Sequence, residues 1–197
     1  FKSLVYHDEP TEDKVIAGAE EGDMMEAIAE EIRKAGVPIA EISAGSTPTG
    51  VEVAKTGKVD EIRPGTYIFK DYKEGAAEPE DIAVRIYATV VSTPCREYAV
   101  IDGGTKTFPM DILLDTAPYY YPGYALVAGN DDLQLRRMNE EHGIITSKKG
   151  DTGLKVGDKV ELIPIHVCTA INMQNKVYLY DGETLRQEVV AARGMLV

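Results

Sequence analysis

Apolar residues recur every three or four positions between Thr11 and Gly36, with Met25, Ile28 and Ile32 on one side and Glu20, Glu21, Glu26, Glu30 and Glu31 mostly on the other. That spacing predicts an amphipathic helix that stops at Gly36. The apolar stripe is its expected core face and the glutamates its solvated face, while Gly18 and Gly22 predict a split or frayed start. Val37 to Ser43 then reads as a short buried strand running into Ala44-Gly45-Ser46-Thr47-Pro48-Thr49-Gly50. Thr66-Tyr67-Ile68-Phe69 reads as another strand, after Glu61-Ile62-Arg63-Pro64-Gly65. With Phe1 to Tyr6 as an opening strand, this rhythm is that of a parallel α/β structure.

After Asp71 the pattern changes. Lys73 to Asp81 is rich in Glu, Ala and Pro and reads as a passage between two domains. Beyond it, short β-rich runs cover Ile82 to Ser92, Glu97 to Asp102, Gly143 to Ser147, Lys159 to Ala170, Val177 to Tyr180 and Leu185 to Ala191. Turn signals at Asp102-Gly103-Gly104, Val156-Gly157-Asp158 and Asp181-Gly182 separate them, so this half is expected to be mainly antiparallel β. Tyr119-Tyr120-Tyr121-Pro122-Gly123-Tyr124 forms an aromatic loop, suited either to stacking on a ligand or to packing on its own domain.

Composition narrows the function classes. The 197 residues are long enough for one large domain or two small ones, and 44% hydrophobic with 27% charged residues is ordinary for a globular protein. A formal charge of -12 argues against a general nucleic-acid or anionic-membrane partner, each of which needs a basic face. No apolar run approaches the ~20 residues of a membrane-spanning helix, and the first residues lack the pattern of a signal peptide. Cys95 and Cys168 can form at most one disulfide, and a cytoplasmic location is the expectation. Phe1-Lys2-Ser3-Leu4-Val5-Tyr6 already reads as a strand, which suggests that the chain begins inside a larger fold. If it ended at Phe1, the half barrel would expose strand edges and need another chain to cover them.

Three groups of residues have chemical potential. Gly45-Ser46-Thr47 joins close backbone approach to two hydroxyl donors after a strand, a workable phosphate cradle or an ordinary turn. Arg63-Pro64-Gly65-Thr66 offers backbone N–H groups and a guanidinium, and is equally a common turn composition. His166 and Cys168 lie one residue apart in Val160-Glu161-Leu162-Ile163-Pro164-Ile165-His166-Val167-Cys168-Thr169. If that segment is a strand they share one face, either as core residues or as a pair gripping one soft metal ion such as zinc, with open positions left for water or substrate. His142 could serve as ligand, proton carrier or orienter of that pair, or sit in a turn. Walker, Gly-x-Ser-x-Gly and paired Cys-x-x-Cys motifs are absent from the sequence.

Seven ordered blocks resemble the D-serine dehydratase and D-threonine aldolase family. They are Ser43 to Thr49, Glu61 to Phe69, Ala88 to Ser92, Val100 to Lys106, Glu140 to Gly143, Ile163 to Cys168 and Ala192 to Gly194. The resemblance covers nearly the whole chain and corresponds to the family's C-terminal portion. It implies an alanine-racemase-like fold: the last part of a pyridoxal-phosphate-binding (β/α) barrel over residues 1–72, then a mainly antiparallel β-domain with a metal site over 73–197, assembled as a dimer.

By the same resemblance, Ser46 and Thr47 match the phosphate-side loop, Gly65 and Thr66 the backbone donors after the last barrel strand, and Tyr67 faces the cofactor region. Arg63 is placed beside the ring or phosphate, and His166 with Cys168 forms the metal pair, for zinc or manganese. Family members with aspartate in place of that cysteine favour harder metals, so Cys168 points to zinc and to the dehydratase side. The family's cofactor-bearing lysine lies near the start of the barrel, and no lysine here matches it. Tyr6-His7-Asp8-Glu9 departs from the family's usual Tyr-x-Gly-His. The implied activity is a pyridoxal-phosphate- and metal-dependent lyase for D-3-hydroxy amino acids, dehydratase or aldolase. A racemase of the same fold, and a non-catalytic subunit completing a barrel supplied by another chain, are the alternatives.

Overall fold

One 23-residue helix, α1 (Glu12–Lys34), leads the computed structural model, which describes residues 12–74, 79–117 and 119–195. The expected opening strand and His7 lie outside the described residues. The chain divides into two compact units, Phe1–Ala83 and Val84–Val197.

Gly18 and Gly22 do not break α1. Both are buried where it meets α2 (Gly50–Lys55). A Cβ on Gly18 would stand 2.4 Å from Glu52 Cβ, and one on Gly22 would stand 2.6 Å from Thr56 Oγ1. The glycines therefore permit a close helix approach. The packed side of α1 carries Ala17, Gly18, Gly22 and Ala29, whereas Ile28 is 48% exposed and Met25 and Ile32 are only half-buried. The expected core stripe is thus not the face this unit buries, because small residues bring backbones closer than a Met and Ile stripe allows.

The α/β expectation holds in a reduced form. Strands β1 (Ser43–Ala44) and β2 (Glu61–Ile62) pair in parallel, Ser43 opposite Glu61 and Ala44 opposite Ile62. Val37 to Ile42, expected as strand, joins no ladder: Val37 is exposed and Pro38 has no N–H to contribute. Thr66–Ile68 is a 3-10 turn and not the expected strand; the Phe69 and Lys70 N–H groups both return to Thr66 O, at 3.0 and 2.9 Å. Tyr67 and Ile68 are exposed, so their β propensity finds no sheet to join.

The second unit is a closed six-stranded barrel with every neighbouring pair antiparallel. Its strands are β3 (Ile86–Ser92), β4 (Tyr98–Ile101), β5 (Ala125–Val127), β6 (Leu133–Met138), β7 (Gly143–Ser147) and β8 (Lys159–Pro164), in the order β3-β4-β7-β6-β5-β8. Alternation builds the core: Ala99 and Ile101 from β4, Leu135 from β6, Ile145 from β7 and Val160 and Leu162 from β8 all point inward. Each fully buried Leu or Ile contributes roughly 1.5–3 kcal/mol.

The expected strand over Lys159 to Ala170 ends at Pro164. Ile165 N–H carries the pairing with the β5 side one residue further, to Tyr124 O at 3.0 Å, and a short helix, α3 (Cys168–Asn172), follows. A separate antiparallel hairpin, β9 (Lys176–Tyr180) and β10 (Leu185–Val189), completes the described residues. Among these residues, no helix is long and apolar enough to cross a membrane.

Candidate functional site

In the first unit the two turns expected to cradle phosphate meet. At the end of β1 the chain enters Gly45 with φ +86°, a conformation that favours glycine. The Ser46-Thr47-Pro48-Thr49 turn follows, closed by Gly50 N–H to Ser46 O at 2.7 Å. Ser46 and Thr47 are half-buried. The Tyr67 N–H donates to Thr47 Oγ1 at 3.2 Å, which ties this turn to the one that begins at Gly65. Gly65 and Tyr67 are exposed and Thr66 is half-buried.

Arg63 is directed elsewhere: its guanidinium donates to Ser43 Oγ, and that hydroxyl donates to Glu61 Oε1 at 3.0 Å. The structure thus joins Thr47 to Tyr67 and holds Arg63 on the β1–β2 edge.

Glu21, expected on the solvated face of α1, is a supporting residue that the sequence reading missed. Its carboxylate accepts the Gly45 N–H at 3.1 Å and the hydroxyl of fully buried Thr49 at 2.9 Å. A carboxylate can only accept, so the Thr49 proton is committed to Glu21, and in the 3.3 Å contact between Ser46 Oγ and Thr49 Oγ1 the serine is the donor. The available signal was position: Glu21 shares the helix side of Gly18 and Gly22, where close approach is permitted.

In the second unit, His166 and Cys168 are not on one strand face as expected. Pro164 ends β8, His166 lies on the turn beyond it, 7% exposed, and exposed Cys168 is the first residue of α3. Val167 between them belongs to no strand, so alternation does not set their relation. His166 Nε2 lies 3.6 Å from Asp111 Oδ2, a neighbour that nothing in the sequence indicated. His142 is exposed in the turn between β6 and β7, where its carbonyl accepts the Asn139 N–H at 2.8 Å. Its neighbour Glu141 is held below the ordinary carboxylate range, chiefly by the Lys106 ammonium.

The aromatic loop packs on its own unit. Tyr121 is buried with Ile112 and Ile165, and its ring stacks on Tyr119 at 5.4 Å, while Tyr120 is exposed.

Residues 83–180 match the family profile described as "Putative serine dehydratase domain". The chain belongs to the D-serine dehydratase and D-threonine aldolase family. It is 30% identical over 179 residues to D-threo-3-hydroxyaspartate dehydratase of Delftia sp., covering 82% of this chain and 46% of that enzyme. It is 24% identical over 200 residues to D-threonine aldolase of Arthrobacter sp., covering 98% and 50%. The chain therefore spans about half the length of these curated relatives. An uncharacterized protein of Mycobacterium bovis is 31% identical over 125 residues, 61% of this chain and 90% of that protein.

Among solved structures of the family, a histidine-to-alanine mutant of D-threo-3-hydroxyaspartate dehydratase superposes with TM-score 0.76 at 26% identity, covering 92% of this chain and 50% of the other. A cysteine-to-alanine mutant of that enzyme, in the metal-free form, superposes with TM-score 0.74 at 24% identity, covering 92% and 52%. The fold is that of the alanine-racemase-like proteins, as seen in one from Idiomarina loihiensis with TM-score 0.77 at 21% identity, covering 94% and 52%.

The residues present suit both groups that membership of the family suggests. For the phosphate of pyridoxal phosphate, the first unit offers the Ser46 and Thr47 hydroxyls with the backbone of the Gly65–Tyr67 turn hydrogen-bonded beside them. Hydroxyl and amide donors are the chemistry a phosphate takes. For zinc, the second unit offers an imidazole and a thiol, both zinc donors. Among the described residues no three His, Cys, Asp or Glu side chains gather to hold one ion. His166 and Cys168 would therefore supply at most two protein ligands.

Proposed function

We propose that this chain is part of a pyridoxal-phosphate- and metal-dependent lyase acting on D-3-hydroxy amino acids, of the D-serine dehydratase or D-threonine aldolase type. The observation that carries the reading is the spacing of His166 and Cys168. In D-threo-3-hydroxyaspartate dehydratase, the histidine and cysteine altered in the two solved mutants are likewise separated by a single residue, and the cysteine mutant was solved in the metal-free form. That enzyme is 30% identical to this chain.

When bound, pyridoxal phosphate supplies an electron sink for charge at the substrate α-carbon, and zinc supplies a Lewis acid for the β-hydroxyl. Ser46 and Thr47 would hold the phosphate through their hydroxyls, and Gly65 and Thr66 through backbone N–H groups. Glu21 keeps the first of these turns in shape by occupying the Thr49 hydroxyl and the Gly45 N–H. Tyr67 would lie beside the cofactor, and Arg63, held on Ser43 in this structure, would offer it a guanidinium for a charge-assisted bond. His166 and Cys168 would hold the metal, zinc before manganese because thiolate is a soft donor. The cofactor-bearing lysine belongs to a barrel segment or chain that precedes this one, and the working assembly is a dimer.

The test is turnover of D-serine, D-threonine and D-threo-3-hydroxyaspartate by the intact assembly supplied with cofactor and zinc. Keto acid with ammonia identifies a dehydratase, and glycine with an aldehyde identifies an aldolase. Release of neither from any of the three removes the reading. A His166→Ala variant that racemises an amino acid at the wild-type rate points to a racemase, which needs no metal on a β-hydroxyl.

A second reading is a non-catalytic subunit that completes another chain's barrel. The mycobacterial relative shows that a chain of this kind can be short, since the matched 125 residues make up 90% of that protein. Co-purification of a separate polypeptide carrying the lysine distinguishes the two.

A further inference from the structure

We infer that Asp111 is the positioning residue for the His166 imidazole, fixing the ring in its metal-ligating orientation. The inference rests on the metal reading proposed above and adds a residue to it. Three observations within the second unit carry it. Asp111 Oδ2 lies 3.6 Å from His166 Nε2, within ion-pair range and a short movement from a hydrogen bond. The histidine side chain is only 8% exposed whereas that of Asp111 is 39% exposed, so the carboxylate has room to close on a ring that does not.

Both residues also adjoin the same small core. Ile112, next to Asp111, and Ile165, next to His166, are buried together with Tyr121. On the other side of Asp111, Phe108 is fully buried, with its N–H on Gly104 O at 2.9 Å. The two segments are therefore fixed against one another, and the carboxylate does not reach the imidazole by chance mobility.

The chemistry gives the arrangement its use. A carboxylate facing Nε2 favours the tautomer protonated there, which puts the ring lone pair on Nδ1. A metal-ligating histidine characteristically donates its other ring N–H to a carboxylate or carbonyl, which orients the ring and raises its basicity. Asp111 does both.

The experiment measures zinc affinity of the full chain by competition with a chromophoric chelator, for wild type, Asp111→Asn, Asp111→Leu and His166→Ala. Imidazole proton–nitrogen NMR of the zinc-loaded protein is recorded alongside. Asparagine keeps an acceptor without charge and leucine removes both, so affinity should fall about 10-fold in the first and toward 100-fold in the second. A slowly exchanging Nε2 proton on His166 in wild type should be lost in Asp111→Leu, a change that a merely structural role would not produce. Should Asp111→Leu misfold, Asp111→Asn decides through affinity and the same proton.

Wild-type affinity in both Asp111 variants, with none in His166→Ala, overturns the inference and leaves the metal reading standing. A wild-type chain that takes up no zinc or manganese overturns both.

Discussion

The hydroxyl of Thr47 accepts the backbone N–H of Tyr67 at 3.2 Å, across twenty residues of sequence. This bond brings together two turns whose separate compositions said little. Thr47→Val keeps the shape and removes the acceptor. It should cost about 1 kcal/mol in stability and weaken pyridoxal-phosphate binding about tenfold, a loss of ~1.4 kcal/mol, while Thr47→Ser restores both. A spectroscopic cofactor titration of the assembly checks this, and equal affinity in wild type and Thr47→Val would show that the turns are not joined for a ligand.

Glu21 and Thr49 should be energetically coupled. Removing Glu21 alone leaves the hydroxyl of fully buried Thr49 and the Gly45 N–H without their acceptor, at a cost of roughly 1–3 kcal/mol. Glu21→Leu and Thr49→Val combined should therefore be less destabilising than the sum of the singles, by about 0.5–1.5 kcal/mol in a denaturation cycle. Strict additivity would contradict the geometry.

Gly18→Ala offers a test of sign. Helix propensity alone predicts that alanine stabilises α1 by about 1 kcal/mol. The new Cβ would stand 2.4 Å from Glu52 Cβ, so overpacking should win and destabilise by about 1–3 kcal/mol. A raised unfolding midpoint would mean that α1 and α2 are not in contact as described.

Asp181 makes the turn between β9 and β10 sensitive to acid. The Thr184 N–H, its hydroxyl and the Glu183 N–H, in that order, hold the carboxyl down to about 2 from 3.8. With the folded value below the unfolded one, the contribution is complete above pH 3.8 and disappears as pH falls through about 2. The Glu183 and Thr184 amide resonances should titrate near that lower value, and the titration should vanish in Asp181→Ala; a midpoint near 3.8 in wild type would refute the turn.

Four of the six barrel strands were readable because they alternate, whereas β5 and β6 fell outside every expected run. The runs expected at Glu97 to Asp102 and Gly143 to Ser147 became β4 and β7, with inward alanine, isoleucine and glycine positions falling where period two places them. Local signals failed where tertiary contacts decide. Thr66 to Phe69 has strand composition but no neighbour to pair with, and after Ile165 bonds to Tyr124 the chain turns into α3, where Ile171 and Met173 bond back to Val167 and Thr169. The roles of Glu21 and Asp111 depend on residues 24 to 55 positions away, Gly45 and Thr49 for one and His166 for the other. For Asp111 a single sequence carries no trace of the partner, and for Glu21 only its place beside Gly18 and Gly22 hinted at one, whereas the His166 and Cys168 spacing was visible at once.

A ring of strands has no outermost member to peel away. Since β8 is bonded to β3 on one side and β5 on the other, detaching it means tearing two ladders at once. Loss of this unit should accordingly be abrupt, and the imidazole just past its last rung should keep its place until the whole circle opens.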